Sequence, residues 1–240
     1  MTIFTLNLWR QYDWENRKPK IVEFLRTNLP DVVLLQEVQI LPSGLSQVEE
    51  LKNELENQTE NQKDFAKNTK NSIYLSLFHS TIYPKYKEKG EILQIPKQHG
   101  MAILSKYPII NSFNYFVPMQ ESETEPRSVL CFDILVHQTV HKFVNIHLGN
   151  RQHWAIPQLE NLLEFLEKRG ETRILVGDFN LFDFGCPKNY KSSFDFENYI
   201  SYPAKNWTLD YILIPQTYRF ESIEIVKNLS DHFGILSKIV

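Results

Sequence analysis

Eight polar side chains stand at or beside the ends of apolar runs, where a hydrophobic core has no use for them. Glu37 lies near the end of VVLLQEV (32–38), and a carboxylate there is costly unless paired or bound to a cation. RILVGDFN (173–180) delivers Asp178 and Asn180 two residues apart, on one side if the chain stays extended. His147 falls in VNIHL (144–148) and Asp210 in LDYIL (209–213), while Asp231 and His232 stand side by side in SDHFGIL (230–236). Asn7 lies in the first run, TIFTLNL (2–8). Singly, each has an ordinary structural reading: a satisfied histidine, a turn aspartate, a Gly-Asp-x-Asn turn. Together, three Asp, one Glu, two His and two Asn are the inventory for one hard cation plus acid–base catalysis.

Oxygen donors without a Cys/His tetrad favour Mg²⁺, with Mn²⁺ as the alternative, over zinc. Mg²⁺ keeps several waters and takes one or two carboxylates plus substrate phosphate oxygens, which points to phosphoryl transfer. Cation and imidazoles would stabilise charge as it builds on the phosphate. No G-x-x-x-x-G-K-[ST] loop or G-x-S-x-G elbow occurs, and neither Cys131 nor Cys186 has a distinctive catalytic setting.

The elements that must position these groups read as follows. Residues 2–8 alternate like a strand, and Ile21, Phe24, Leu25 and Leu29 give 17–29 a helical spacing that Pro30-Asp31 breaks. The continuous run VVLLQEV then predicts a strand buried on both faces, parallel to the first across the helix. A second helix is expected over 45–56, a mobile polar loop over 57–71, and strand, turn, strand over 100–110 with Pro108 at the junction. Residues 128–137 and 141–148 form a hairpin with a three-residue connection. A helix over 156–168, with Pro157 at its start and Gly170 after its end, leads into 173–180 and three last strands. Strands outnumber helices, which suits a two-sheet sandwich with helices on its outer faces.

The chain has 240 residues, enough for one domain with a full core and no disulfide or metal staple. Sixteen Phe, 11 Tyr and 4 Trp against 8 Gly fit extensive β-structure. A net charge of −3 argues against a protein that coats long nucleic acid. Only residues 63–97 are basic, with seven Lys against three acids; they form either a solvated face or a substrate rim, where Tyr83 and Tyr86 could stack on a base. Two cysteines are no disulfide framework, and the N-terminus is neither signal peptide nor membrane span. The expectation is a soluble cytoplasmic monomer whose Asn-x-Ser/Thr sites at Asn57, Asn206 and Asn228 are coincidental.

The ordered set TLNLW, LLQEV, GMAILSKYPI, VNIHL, VGDFN, LDYIL and SDHFGIL resembles the motifs of the endonuclease/exonuclease/phosphatase superfamily from residue 2 to residue 240. The resemblance implies a single catalytic domain over 1–240 with a four-layer α/β/β/α sandwich, two packed mixed sheets with helices outside. It implies that Glu37 is the main metal ligand and that Asn7 and Asp231 lie at the metal and phosphate site. Asp178 would position or deprotonate the attacking water, with Asn180 as its orienting neighbour. His232 would contact the phosphate, Asp210 would hold its tautomer and charge, His147 would be the second histidine, and Arg127 a phosphate-contacting cation. One departure stands out: some DNA-processing members read Asn-x-Asp in the first strand, but this chain reads Asn7-Leu8-Trp9, so metal binding leans on Glu37.

The function expected is in-line hydrolysis of a phosphodiester: a nucleic acid end, a nucleotide or a small diester. The alternatives are a phospholipid (sphingomyelinase-like) or inositol-phosphate hydrolase, and a non-catalytic binding domain of the same fold.

Overall fold

Two strand–helix–strand units frame the cleft to which the polar strand ends converge. The computed structural model describes residues 1–57, 74–83, 86–88, 91–93, 97–123 and 125–240. The first half of the chain contains β1 (Thr2–Asn7), α1 (Trp14–Asn28), β2 (Val32–Gln39), α2 (Gln47–Asn57), β3 (Leu75–Tyr83), β4 (Tyr86–Glu88), β5 (Glu91–Leu93), β6 (Lys97–Ser105) and β7 (Ile109–Phe116). The second contains β8 (Ser128–Val136), β9 (Thr139–His147), α3 (Gln152–Lys168), β10 (Ile174–Asp178), β11 (Tyr190–Ser192), α4 (Ser193–Phe196), β12 (Asp210–Pro215), β13 (Phe220–Val226) and β14 (Gly234–Ile239). Most of the 57–71 loop lies outside the described residues, as do the side chains of 79–98; the lysine-rich rim, Tyr83 and Tyr86 fall there.

One six-stranded sheet runs β13-β14-β1-β2-β6-β3 and the other β11-β12-β10-β9-β8-β7, with β4 and β5 as a separate ribbon. At the centre of each sheet is a parallel pair, β1 with β2 and β9 with β10, and the flanking pairs are antiparallel. Helix α1 connects the first parallel pair and α3 the second, so the architecture repeats a motif that no internal sequence repeat reveals. Alternation along the strands divides the core into three apolar layers. Ile3, Val32, Leu34, Phe143, Val176 and Ile212 fill the space between the sheets. Phe4, Val33 and Leu35 face Ile21 and Leu25 of α1 and Leu51 of α2, while Val144, Ile146 and Leu175 face Leu159 and Leu162 of α3. This is the expected four-layer sandwich, and it explains the unbroken run of β2, which is buried on both faces.

Several boundaries differ from expectation. Helix α1 starts at Trp14, not residue 17, because Trp14 buries against the outer layer and donates to Glu50. Helix α3 starts at Gln152, with Pro157 inside it; Arg151 accepts the first backbone bonds and Trp154 and Ala155 anchor the extra turn in buried positions. The β8–β9 connection is two residues, not three: His137 (φ 44°) and Gln138 (φ 70°) are both left-handed, as a tight hairpin turn with the strands' own twist requires. The strands on either side of Pro108 join different sheets. The short β11 and α4 carry too little periodicity to be foreseen.

Candidate active site

The carboxyl ends of the two parallel pairs meet, and they carry four of the predicted residues: Asn7 ends β1, Glu37 lies near the end of β2, His147 ends β9 and Asp178 ends β10. Ligands of α/β sheets characteristically bind outside such ends. Asp210 opens β12 opposite Asp178 in the antiparallel ladder, and His232 lies just before β14, which runs antiparallel to β1, so both arrive at the same end. The result is a cleft of about 670 Å³. Seven of the nine predicted residues line it: Glu37, Arg127, His147, Asp178, Asn180, Asp231 and His232. The other two are buried behind it, Asn7 bonded to Asp178 and Asp210 to His232.

Local backbone devices aim these groups. The β2–β6 register runs to Leu35↔Ala102 and resumes at Val38↔Gly100, so Gln36 and Glu37 together oppose Met101 in a bulge. Glu37 takes φ 52° there and turns its carboxylate into the cleft. Asn180 is left-handed too, at φ 52°; its backbone N–H donates to Asp178 Oδ1 (2.9 Å) and its Nδ2 to the Leu148 carbonyl (3.0 Å). Asn7 Nδ2 donates to Asp178 Oδ2 (3.0 Å), leaving each Asp178 oxygen one donor and spare accepting capacity. Behind the site, Gln36 Nε2 donates to Asn145 Oδ1 (2.7 Å) and links the two sheets. Gly177 permits that approach: at φ 134°, a Cβ would meet the Ile146 carbonyl at 2.3 Å and Gln36 Nε2 at 2.9 Å.

The two histidines have opposite electrostatics. Burial works against the His232 imidazolium, but the Asp210 carboxylate, 2.8 Å from Nδ1, outweighs it; with Asp178 and Asp231 nearby, the pKa rises to about 10. Burial and the neighbouring Arg127, His99 and Arg10 hold His147 well below the ordinary 6.5, so its ring is neutral. Arg127 Nη1 lies 3.4 and 3.2 Å from the two ring nitrogens, a placement over the ring and not along one lone pair. His147 Nε2 is 3.8 Å from Glu37 and 3.7 Å from Asp178, between the two carboxylates. Burial first, then the Asp210 charge, pushes Asp178 up to about 7 against the opposing pull of His232, Asn7 and Asn180. Burial also raises Asp231, which accepts from Ser230 and from the His232 backbone.

Sequence reasoning missed Arg10 and Glu125. Arg10 Nε is 3.3 Å from Glu37, Arg10 Nη2 is 4.0 Å from Glu125, and Glu125 is 3.3 Å from Arg127, so charges alternate along the cleft wall. The missing first-strand carboxylate thus has a cation as its neighbour in sequence. No periodicity marks a loop residue; the only signal was that Arg10 and Glu125 adjoin motifs already singled out. The donor set suits a hard divalent cation: Glu37 and Asp231 line the cleft with carboxylate oxygens, and Asn7 stands behind them with its Oδ1 accepting from the Trp9 N–H (2.9 Å). Asp178, Asp210 and His232 also place ligand-type atoms within 4.8 Å of one another, with His232 Nδ1 engaged by Asp210 at 2.8 Å.

The sequence profile of the endonuclease/exonuclease/phosphatase family matches residues 4–232, and the chain belongs to that family, whose members are nuclease- and phosphatase-type hydrolases. It is 27% identical over 186 residues to the uncharacterised protein YbhP of Escherichia coli strain K12, a match covering 74% of this chain and 66% of that one. In fold it is similar to an endonuclease/exonuclease/phosphatase family protein from Leptotrichia buccalis, with TM-score 0.74, 18% identity, and 100% of this chain and 99% of that one covered. It is also similar to a mannosyl-6-phosphatase from Bacteroides thetaiotaomicron, with TM-score 0.71, 14% identity, and coverage of 100% and 99%. No helix among the described residues is long and apolar enough to cross a membrane.

Proposed function

We propose that this chain is a Mg²⁺-dependent phosphodiesterase, with Mn²⁺ as a substitute, that hydrolyses its ester by in-line attack of water. The observation that carries the reading is the pairing in one cleft of a carboxylate held by two amides, Asp178 with Asn7 and Asn180, and an imidazole held by a carboxylate, His232 with Asp210. Asp178 takes a proton from the attacking water, with Asn7 and Asn180 orienting its two oxygens. The His232 imidazolium, held by Asp210, donates to a phosphate oxygen as negative charge accumulates. Arg127, buried and with Nε lacking a hydrogen-bond partner, gives the phosphate a second cationic contact, and neutral His147 gives it a hydrogen bond. Glu37, with Asn7 and Asp231, would hold the divalent cation, which when bound neutralises charge on the phosphate oxygens.

The test is turnover of bis-p-nitrophenyl phosphate with Mg²⁺ or Mn²⁺, followed by a panel of single-stranded and duplex DNA, 5′-tyrosyl DNA, RNA, sphingomyelin and inositol phosphates. No hydrolysis of any phosphate ester by the folded protein would sink the reading. His232→Ala and Asp178→Asn should each lower the rate by roughly 10²–10⁴-fold, the usual worth of a positioned acid or base.

A further inference from the structure

The loop between β1 and α1 sends the Arg10 guanidinium into the cleft, between two carboxylates. Arg10 Nε stands 3.3 Å from Glu37 Oε2 and Arg10 Nη2 stands 4.0 Å from Glu125 Oε1, with the three side chains only 18%, 19% and 27% exposed. The contact to Glu37 is longer than the roughly 2.7–2.9 Å of a tight charge-assisted bond. The other Glu37 oxygen faces the neutral His147 ring at 3.8 Å, so the charge of Glu37 is balanced from the Oε2 side. Both main chains are fixed from behind. The Arg10 carbonyl accepts from Arg17 Nη2 (3.1 Å) and from Gln47 Nε2 (2.7 Å), and Gln47 Oε1 accepts from the N–H of Gln39, two residues past Glu37 (2.8 Å). Gln47 is itself completely buried. The first residue of α2 thus pins the Arg10 loop to the end of β2, and rearrangement of the ion pair is confined to side chains.

We infer that Arg10 is a resident counter-cation: without a divalent ion it neutralises Glu37, and when the ion binds it yields Glu37 and moves over to Glu125. The inference rests on Glu37 as the cation's ligand, part of the reading above, and adds how the affinity of that site is set. A divalent ion carries twice the charge of a guanidinium and seats closer to a carboxylate oxygen, so it prevails at Glu37 when present. It must first displace an ion pair whose partial burial limits screening by salt. Glu125 offers the displaced guanidinium a second carboxylate within reach, while Arg127, 3.3 Å from Glu125, opposes a full transfer. The cleft therefore stays charge-balanced without the ion, and binds it more weakly than Glu37 alone would.

Mn²⁺ binding to the full chain, read by electron paramagnetic resonance with no substrate present, tests this. Arg10→Met should tighten Mn²⁺ binding by roughly fivefold, the worth of a well-placed, partly exposed ion pair. Arg151→Met removes the same charge from the same cleft and should tighten it by about twofold at most, since that charge is exposed to screening. Glu125→Gln should weaken Mn²⁺ binding in the parent chain and leave it nearly unchanged in Arg10→Met. In the parent, Mg²⁺ should shift the Arg10 Nε–H signal in ¹⁵N NMR and leave that of Arg151 in place, a readout that needs no variant to fold. Unchanged or weaker Mn²⁺ binding in Arg10→Met, an equal gain in Arg151→Met, an equal loss from Glu125→Gln in both backgrounds, or an Arg10 signal indifferent to Mg²⁺ overturns the inference. Failure of the cation site looks different: Glu37→Gln should lose Mn²⁺ binding, and if it binds as the parent does, or the folded parent binds none, the assignment of Glu37 falls and this inference with it.

Discussion

His147 and His232 are the same side chain at the same kind of place, a strand end facing the cleft, and their neighbours give them opposite charges. An NMR titration of the apoprotein should find His232 changing charge near pH 10 and His147 neutral through the physiological range. In Asp210→Asn the His232 midpoint should fall, because its strongest supporting charge is gone. The ring's pKa is raised above its ordinary 6.5, so its contribution to stability is complete below 6.5 and fades as pH climbs through 10. Asp178 must be ionised to accept a proton, so the activity should climb through about pH 7 on the acid limb. Glu37→Gln should raise the Mg²⁺ concentration needed for half-maximal rate; an unchanged requirement would refute the ligand assignment. The identity of these residues was legible in the sequence, because polar groups ending apolar runs stand out. Their protonation was not, because it depends on partners such as Asp210, 22 positions from His232, that only folding supplies.

At the scale of the element, the loop between β1 and α1 presents Trp9, Arg10 and Tyr12 to the cleft, and Arg17 holds that loop. Its guanidinium donates to the carbonyls of Leu8 (2.7 Å), Arg10 (3.1 Å) and Tyr12 (2.8 Å) and lies over the rings of Trp9 and Trp14. Arg17→Ala leaves those carbonyls without their donor, at about 1–3 kcal/mol for buried groups. It should lower the urea midpoint and raise hydrogen exchange across 8–12, and unchanged exchange there would contradict the role. The helix was readable from its apolar spacing, but a charged residue near its start looks like a solvated one, and nothing in spacing shows a guanidinium turned back onto its own loop. Gly177→Ala should destabilise by about 2 kcal/mol or more in urea denaturation, since a Cβ there meets backbone and φ 134° suits glycine.

Across the whole molecule, the two strand–helix–strand units are held face to face by apolar contact between the sheets and by buried polar bonds, Asn7 to Asp178 and Asp210 to His232 at the cleft and a bridge at Asn145 behind it. Asn145 accepts from Gln36 and donates to the carbonyls of Leu35 and Ala102, both 3.1 Å away. Asn145→Ala strands these groups in the core and should cost about 2–3 kcal/mol, read as a drop in melting temperature. The layered sandwich was legible because the strands are long and their burial patterns distinct. The assignment of strands to sheets was not: β6 and β7 are separated by three residues yet belong to different sheets. The backbone conformations around the cleft have a further consequence. Trp9, Arg10, Glu37 and Asn180 all adopt left-handed φ, which for most residues costs about 1–2 kcal/mol. A laboratory selection for heat resistance alone would therefore favour Glu37→Gly, and its winners would be sturdier proteins without the carboxylate proposed above to hold the cation.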